Sequence, residues 1–184
     1  MIIEIFQNPE VLFIGIRVGT AEGILGVVAL LCAVFFALSI HELGHAFVAL
    51  KCGDPTAKML GRVTLNPVKH MDFAGTLMFL VAGFGWAKPV PVNPLNLKRP
   101  KRDYVFVSVA GAVFNIVTAF LSFGVFGALM LISRNGEAFF ADNRYWYLLY
   151  YLFVFFFLYL TIVSIGAALF NLLPIFPLDG FRVV

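Results

Sequence analysis

The stretch GILGVVALLCAVFFALSIHELGHAFVAL, residues Gly23–Leu50, decides the fold of this chain. About 20 apolar residues in a helix that rises 1.5 Å per residue cross the hydrocarbon core of a bilayer, and this stretch is longer than that. Near its end it nevertheless carries His41, Glu42 and His45. Because ionisable groups are costly in lipid, such a cluster indicates a functional site whose groups need partners to neutralise or coordinate them.

The composition extends the membrane assignment to the whole chain. Of its 184 residues, 61% are hydrophobic and 12% are charged, and the mean hydropathy is +0.96. Charged residues make up about a quarter of an ordinary soluble domain. The net charge of +3 does not indicate a nucleic-acid partner, because the basic residues cluster beside the apolar stretches. We therefore expect an integral membrane protein that contacts the lipid bilayer and binds no nucleic acid.

Three further apolar stretches follow, at Asp72–Ala87, Tyr104–Ser133 and Tyr145–Leu173. The last two are long enough to span a bilayer. The first of the three is short and interrupted by glycine, which suits a re-entrant element that lines a protein cavity. The sequence thus predicts an all-α polytopic integral membrane protein. We expect three transmembrane helices plus a short or re-entrant membrane segment, in a single domain over residues 1–184. Val11–Gly19 is too short to span alone, and is either an interfacial piece or the start of the first helix.

The basic residues predict the orientation of the chain. Nine of the thirteen lie between the first and third apolar stretches: Lys51, Lys58, Arg62, Lys69, Lys88, Lys98, Arg99, Lys101 and Arg102. The positive-inside rule places residues 51–102 on the cytoplasmic side. We therefore expect a multi-pass protein of the cell membrane whose first helix runs inward, with its ionisable cluster toward the cytoplasmic side.

HELGH, residues 41–45, matches the HExxH pattern of zinc-dependent hydrolases. Residues four apart lie on one face of a helix, so both imidazoles reach one metal ion while the glutamate approaches the water beside it. Zinc lowers the pKa of such a water toward about 7, so that Glu42 can take its proton. Gly44 leaves room beside the pair for backbone or substrate. The motif alone is only moderately specific, but its setting in an apolar helix favours a metal site over a chance match.

Catalytic zinc needs a third protein ligand, for which the residues offer His70, Cys52 or a carboxylate. Asp179, in NLLPIFPLDGFRVV, is favoured by position. Two prolines prevent the last helix from continuing, and leave the aspartate near its cytoplasmic end. His41 lies about 27 Å along the first helix, at a similar depth. A solvated turn aspartate before glycine is the alternative reading of this residue.

With HELGH in one membrane helix and LDG after a late one, the sequence resembles the site-2 proteases, which are intramembrane zinc metalloproteases. The segments GRVTLNPVKHMD, GWAKPVPVNP and GAVFNI are similar to the compact bacterial and archaeal branch of that family, which lacks a PDZ domain. The resemblance extends from about Ser39 to the end of the chain.

The resemblance implies one catalytic zinc ion per chain, bound by His41, His45 and Asp179, with Glu42 activating its water. It also implies a role for Asn115, which lies in a Gly-x-x-x-Asn pattern at a position that steadies substrate or oxyanion in the family. From the residues alone, a buried asparagine is equally consistent with a hydrogen bond between two helices.

The expected function is that of an intramembrane endopeptidase. It would cleave within or near transmembrane segments of membrane proteins, in regulated proteolysis or in removal of signal-peptide remnants. The segment Gly83–Pro94 would be the re-entrant element near the substrate path, where an extended substrate can pair with exposed backbone.

Two alternatives belong to other classes. A membrane metal or ion transporter would also use a His, Glu and Asp cluster, although the chain has few other polar residues in its spans and no inverted repeat. A silent membrane scaffold would have no use for Glu42. The sequence identifies neither the natural substrate nor the oligomeric state.

Overall fold

The computed structural model describes residues 20–82, 85–135 and 143–183. Within them the chain is mainly helical, with α1 at Thr20–Lys51, α2 at Thr56–Met59, α3 at Phe73–Ala82, α4 at Pro100–Asn135 and α5 at Arg144–Asn171. Short 3-10 turns lie at Pro67–Lys69, Pro94–Asn96 and Asp179–Arg182. No β-strand forms among these residues, and an isolated bridge pairs Met71 with Ala87.

Three of the helices are long and apolar enough to cross a membrane: Gly23–Lys51 of α1, Pro100–Ile132 of α4 and Arg144–Asn171 of α5. This confirms the predicted all-α polytopic membrane architecture. The ends of the helices differ from the apolar stretches by a few residues, because capping groups extend them into polar sequence. Asp103 accepts the backbone N–H of Arg99 at 2.9 Å before α4, and Asn143 caps the start of α5. Val11–Gly19 lies outside the described residues.

Helices α1 and α5 pack along a seam of small side chains. Ala29, Ala33 and Ala37, spaced four apart on α1, are completely buried against Phe155, Tyr159 and Leu160 of α5. Small residues on one helix face let two backbones approach closely. This close packing stabilises helix association in lipid, where the hydrophobic effect does not drive helices together. The alanine spacing therefore determines which face of α1 meets α5.

Hydrogen bonds join α4 to α5. The Ser122 and Thr161 hydroxyls lie 2.8 Å apart, and the Tyr150 hydroxyl donates to the Leu129 carbonyl at 2.9 Å. Such bonds satisfy polar groups that lipid cannot solvate. Each of the three long helices thus packs against the other two.

The short apolar stretch forms an excursion built on α3. This helix is about 15 Å long, so it reaches only half-way through a hydrocarbon core. Its two ends meet at the Met71–Ala87 bridge, and the Lys88 N–H donates to the His70 carbonyl at 2.8 Å. Gly75 lies so close to the Trp86 carbonyl that a side chain there would clash. The chain therefore enters and leaves this element on one side, which is the shape of a re-entrant segment rather than a span.

Candidate metal centre

Three ionisable side chains meet at one end of the helix bundle. His41 and His45 project from α1, and the Nε2 atom of each lies 3.0 Å from Oδ2 of Asp179. His41 is 4% exposed and His45 is 7% exposed. One ligand atom from each of the three residues lies within 4.8 Å of the others. The structure thus brings together the three residues named from the sequence as zinc ligands.

The chain after α5 carries Asp179 back to α1. The Asn171 side chain donates to the Ala167 carbonyl at 2.9 Å, within the last turn of α5. After a non-helical connection, Asp179 opens the final 3-10 turn. Gly180 lies directly against the carbonyl oxygens of Leu172 and Leu173, where any side chain would clash. The glycine of LDG therefore lets the turn pack closely on the end of the helix.

His45 is held through its second ring nitrogen. Its Nδ1 lies 2.7 Å from the carbonyl oxygen of Val107 on α4. A carbonyl only accepts, so Nδ1 carries the proton and donates, which leaves the Nε2 lone pair directed at Asp179. A hydrogen bond of this kind commonly sets the tautomer and orientation of a metal-binding histidine.

His41 meets Asn115 in the same way. The Nδ1 of His41 lies 3.3 Å from Nδ2 of Asn115, which is fully buried, and Oδ1 of the asparagine has no partner. Rotating the amide by 180° places its oxygen at this contact, so that the His41 Nδ1–H donates to it. The His41 Nε2 lone pair is then available to a metal ion, as it is in His45.

Gly111 of α4 was recognised from the sequence as the first residue of the Gly-x-x-x-Asn pattern, but no role was expected of it. A Cβ atom there would lie 2.5 Å from Nε2 of His45 and 2.6 Å from Nε2 of His41. Gly44 has a matching role on α1, since its Cβ would lie 2.9 Å from the Ala110 carbonyl. This is the room for backbone expected of Gly44. Gly111 precedes Asn115 by one helical turn, and that spacing was the available signal.

Glu42 lies beside the two histidines and is half-buried. Its Oε2 accepts the backbone N–H of Val90 at 2.9 Å. Val90 belongs to the segment expected to pair with substrate, so in this structure its amide is already used by the glutamate. A backbone donor has no side-chain signature, so this contact could not be predicted from the sequence.

The other ligand candidates lie elsewhere. His70 is buried, with its Nε2 2.9 Å from the Thr64 carbonyl. Cys52 is a free thiol. Among the described residues, His41, His45 and Asp179 form the one group of three or more such side chains that could hold a metal ion.

The donor set suits zinc. The Asp179 carboxylate lies 3.0 Å from the Nε2 atom of each imidazole, so one anionic and two neutral donors face the same point. The Arg182 guanidinium lies 3.8 Å from its Oδ1. Ligands about 2.0–2.2 Å from a tetrahedral zinc ion lie roughly 3.4 Å apart, close to the spacing of the Nε2 and Oδ2 atoms. Two neutral imidazoles and one carboxylate therefore fit a zinc ion with little movement.

Comparisons with known proteins agree with this chemistry. Residues 29–184 match Peptidase family M50. A relative described as "Putative zinc metalloprotease YwhC", from Bacillus subtilis (strain 168), is 42% identical over 155 residues, which cover 84% of this chain and 67% of that protein. "Putative zinc metalloprotease Rip2" of Mycolicibacterium smegmatis is 30% identical over 152 residues, covering 78% of this chain and 51% of that protein.

Rip2 of Mycobacterium tuberculosis (strain H37Rv) is 31% identical over 157 residues, which cover 80% of this chain and 52% of that protein. The chain thus spans about two thirds of the length of YwhC and about half of Rip2. No solved structure matches the chain significantly. The helical spans and the family match lead to one assignment: the chain belongs to peptidase family M50, the site-2 protease family, and is a membrane-embedded zinc metalloprotease.

Proposed function

We propose that this protein is an intramembrane endopeptidase that hydrolyses peptide bonds within or near the transmembrane segments of other membrane proteins. The proposal is supported by the position of His41 and His45 on one of three helices that are long and apolar enough to cross a membrane, facing Asp179 just beyond the end of another. Its biological setting would be regulated intramembrane proteolysis or the removal of signal-peptide remnants.

The site would face the cytoplasmic side of the cell membrane. His41 lies about 15 Å along α1 from its C-terminal end. That end leads into residues 51–102, which hold nine of the thirteen basic residues. The positive-inside rule supports a cytoplasmic location for this end, and the route for water to His41 is shorter from this end of α1 than from the other.

The proposed roles follow from the contacts of each residue. His41, His45 and Asp179 would hold the zinc ion, which supplies Lewis acidity that polarises a carbonyl and lowers the pKa of water. Glu42 would take a proton from the attacking water as the C–O bond forms, and give it to the leaving nitrogen as the C–N bond breaks.

Asn115 would act beside His41. Its amide oxygen would accept the His41 Nδ1–H, and its amide nitrogen would then be the group without a partner. Contact of that nitrogen with substrate or with the oxyanion is the role expected from the family resemblance, and it remains part of this proposal.

A lateral route for the substrate is supported by an apolar groove. A cavity of about 470 Å³ lies between α1, the re-entrant excursion and α5, and Leu38, Phe79 and Phe170 are among its lining residues. We propose that a substrate helix approaches along this groove. Unwinding of the substrate is easiest near glycine or proline, so cleavable segments should contain such residues.

The proposal is tested with purified protein in detergent. Bound zinc is measured, and cleavage of a tagged single-pass test substrate with a Gly-Pro pair in its span is followed for wild type and Glu42→Gln. We expect about one zinc per chain in both proteins and cleavage by the wild type alone, because glutamine keeps the shape of the side chain but cannot take the proton. Zinc-loaded wild type that cleaves no membrane-spanning substrate would refute the proposal, and zinc flux across liposomes would favour a transporter instead.

A further inference from the structure

The Glu42 carboxylate is held by the main chain of a distant segment. Val90 N–H donates to Oε2 at 2.9 Å across 48 residues of sequence. The Val90 side chain is 9% exposed and packs in a cluster with Ala46 and Ala57. Ala46 follows Glu42 by one turn of α1, so the contact and the packing lie on the same helix face.

The segment that carries Val90 is fixed on both flanks. On one side, the Lys88 N–H donates to the His70 carbonyl at 2.8 Å. On the other, the Asn93 N–H donates to Oδ2 of Asp54 at 2.7 Å. Val90 itself stands between Pro89 and Pro91, and proline rings restrict the backbone. The Val90 amide is therefore a donor with little freedom to move.

Asp54 is the stronger of the two anchors. It is completely buried, and its Oδ1 accepts the Thr56 backbone N–H and the Asn96 side-chain amide, both at 3.0 Å. Hydrogen bonds to an ionised carboxylate are stronger than those between neutral groups. Since Asp54 follows directly on the end of α1, it ties the Val90 segment to the helix that bears Glu42.

We propose that the Val90 amide is a positioning group for Glu42 and that Asp54 holds this amide in place. By fixing Oε2, the Val90 N–H leaves Oε1 to exchange a proton with water and the leaving nitrogen. A general base is effective only when it is correctly placed, and small displacements of catalytic groups cost about 100-fold in rate. This inference rests on the proposed protease function.

In the test, Val90 is replaced by proline, which removes the N–H and keeps an apolar side chain. The residues on both sides of Val90 are already proline. Val92→Pro is the matched control, because Val92 also follows a proline and donates no amide hydrogen bond among the described contacts. With the tagged Gly-Pro test substrate, we expect Val90→Pro to lower kcat about 10–100-fold. KM, zinc content and Tm should stay close to wild type, and Val92→Pro should match wild type in zinc content and Tm.

Asp54→Asn tests the same link from its other end. It should lower kcat by a smaller factor with zinc retained, and it should add nothing to the loss in Val90→Pro, because two changes in one chain of contacts are not additive. If Val90→Pro does not fold, the kcat and zinc content of Asp54→Asn decide the question.

The outcomes separate two kinds of failure. A wild-type protein that does not cleave the test substrate overturns the proposed function and this inference with it. An active wild type with Val90→Pro equally active overturns this inference alone. A Val90→Pro variant with a higher kcat than wild type would show that the contact restrains Glu42. That result would also overturn this inference.

Discussion

Gly111 places α4 directly against the Nε2 atoms of His41 and His45, the proposed zinc ligands. A methyl group at this position would lie 2.5–2.6 Å from ring atoms of His41 and His45, well inside van der Waals contact. Neither ring can retreat freely, because the second nitrogen of each contacts α4 through Asn115 or Val107. The smallest side-chain addition should therefore displace the ligand atoms.

Gly111→Ala is predicted to weaken zinc binding by about tenfold or more, in the range found when groups around metal ligands are disturbed. The measurement is zinc affinity by competition with a chelator, together with Tm. Gly124→Ala is the control on the same helix, since nothing lies within 4 Å of a Cβ there. Equal zinc affinities for the two variants would mean that Gly111 does not shape the site.

Asn115 offers a second residue-scale test. Asn115→Asp keeps an oxygen that accepts the His41 Nδ1–H, and we expect it to bind zinc about as tightly as wild type. Asn115→Leu keeps the volume but no acceptor, and should bind zinc about 10–100-fold more weakly. Chelator competition measures both. A leucine variant with wild-type affinity would contradict the anchoring of His41. Loss of cleavage by a zinc-loaded aspartate variant would support contact of the amide nitrogen with substrate.

The side chains of the site were easier to predict from the sequence than the backbone groups that contact them. His41, Glu42 and His45 were recognisable from helical spacing in an apolar setting, and Asp179 from its place after a helix broken by proline. The Val107 carbonyl and the Val90 amide could not be found, because any residue supplies these groups and only the packing of two elements selects them. Asn115 was noticed, but its contact with His41 required the register between α1 and α4.

Among the elements, the long helices and the excursion were predictable for different reasons. Length and hydropathy alone identify α1, α4 and α5 as spans. The excursion was predictable because its apolar stretch is short, contains glycines and has basic residues on both sides. What could not be predicted is how residues 88–96 return to the end of α1, since this depends on buried hydrogen bonds to Asp54.

The hydrogen bonds to the buried Asp54 carboxylate make the stability of the fold depend on pH in the acid range. Burial tends to raise the pKa of Asp54, but hydrogen bonds from Thr56, Asn96 and the Asn93 amide lower it below the ordinary value of 3.8. Because the folded-state pKa is the lower one, this carboxylate stabilises the fold above about pH 4 and loses that effect as pH falls through the folded pKa.

We expect Asp54→Asn to lower Tm at pH 7, and the difference from wild type to shrink as the pH falls below 3.8. Thermal unfolding of both proteins in detergent between pH 7 and pH 3 measures this. A Tm difference that stays constant over the whole range would show that the charge of Asp54 does not stabilise the fold.

The whole molecule is a small bundle in which the last element completes the site. The apolar stretches predicted three spans, and the basic residues in the range 51–102 predicted their directions. Neither determines which helix faces meet. The alanine seam of α1 against α5 sets one of these faces, and the close approach of Gly44 to Ala110 sets another. Together they bring Asp179, at the far end of the chain, beside two histidines of the first helix.

We expect His41, His45 and Asp179 together to hold one zinc ion. Zinc-edge X-ray absorption on the purified protein, with Asp179→Ala alongside, tests it most directly. The expected spectrum shows nitrogen and oxygen neighbours alone at about 2.0–2.2 Å, two of them imidazoles, and altered coordination or lost metal in the variant. A sulfur neighbour at about 2.3 Å, or a spectrum unchanged by Asp179→Ala, would contradict it.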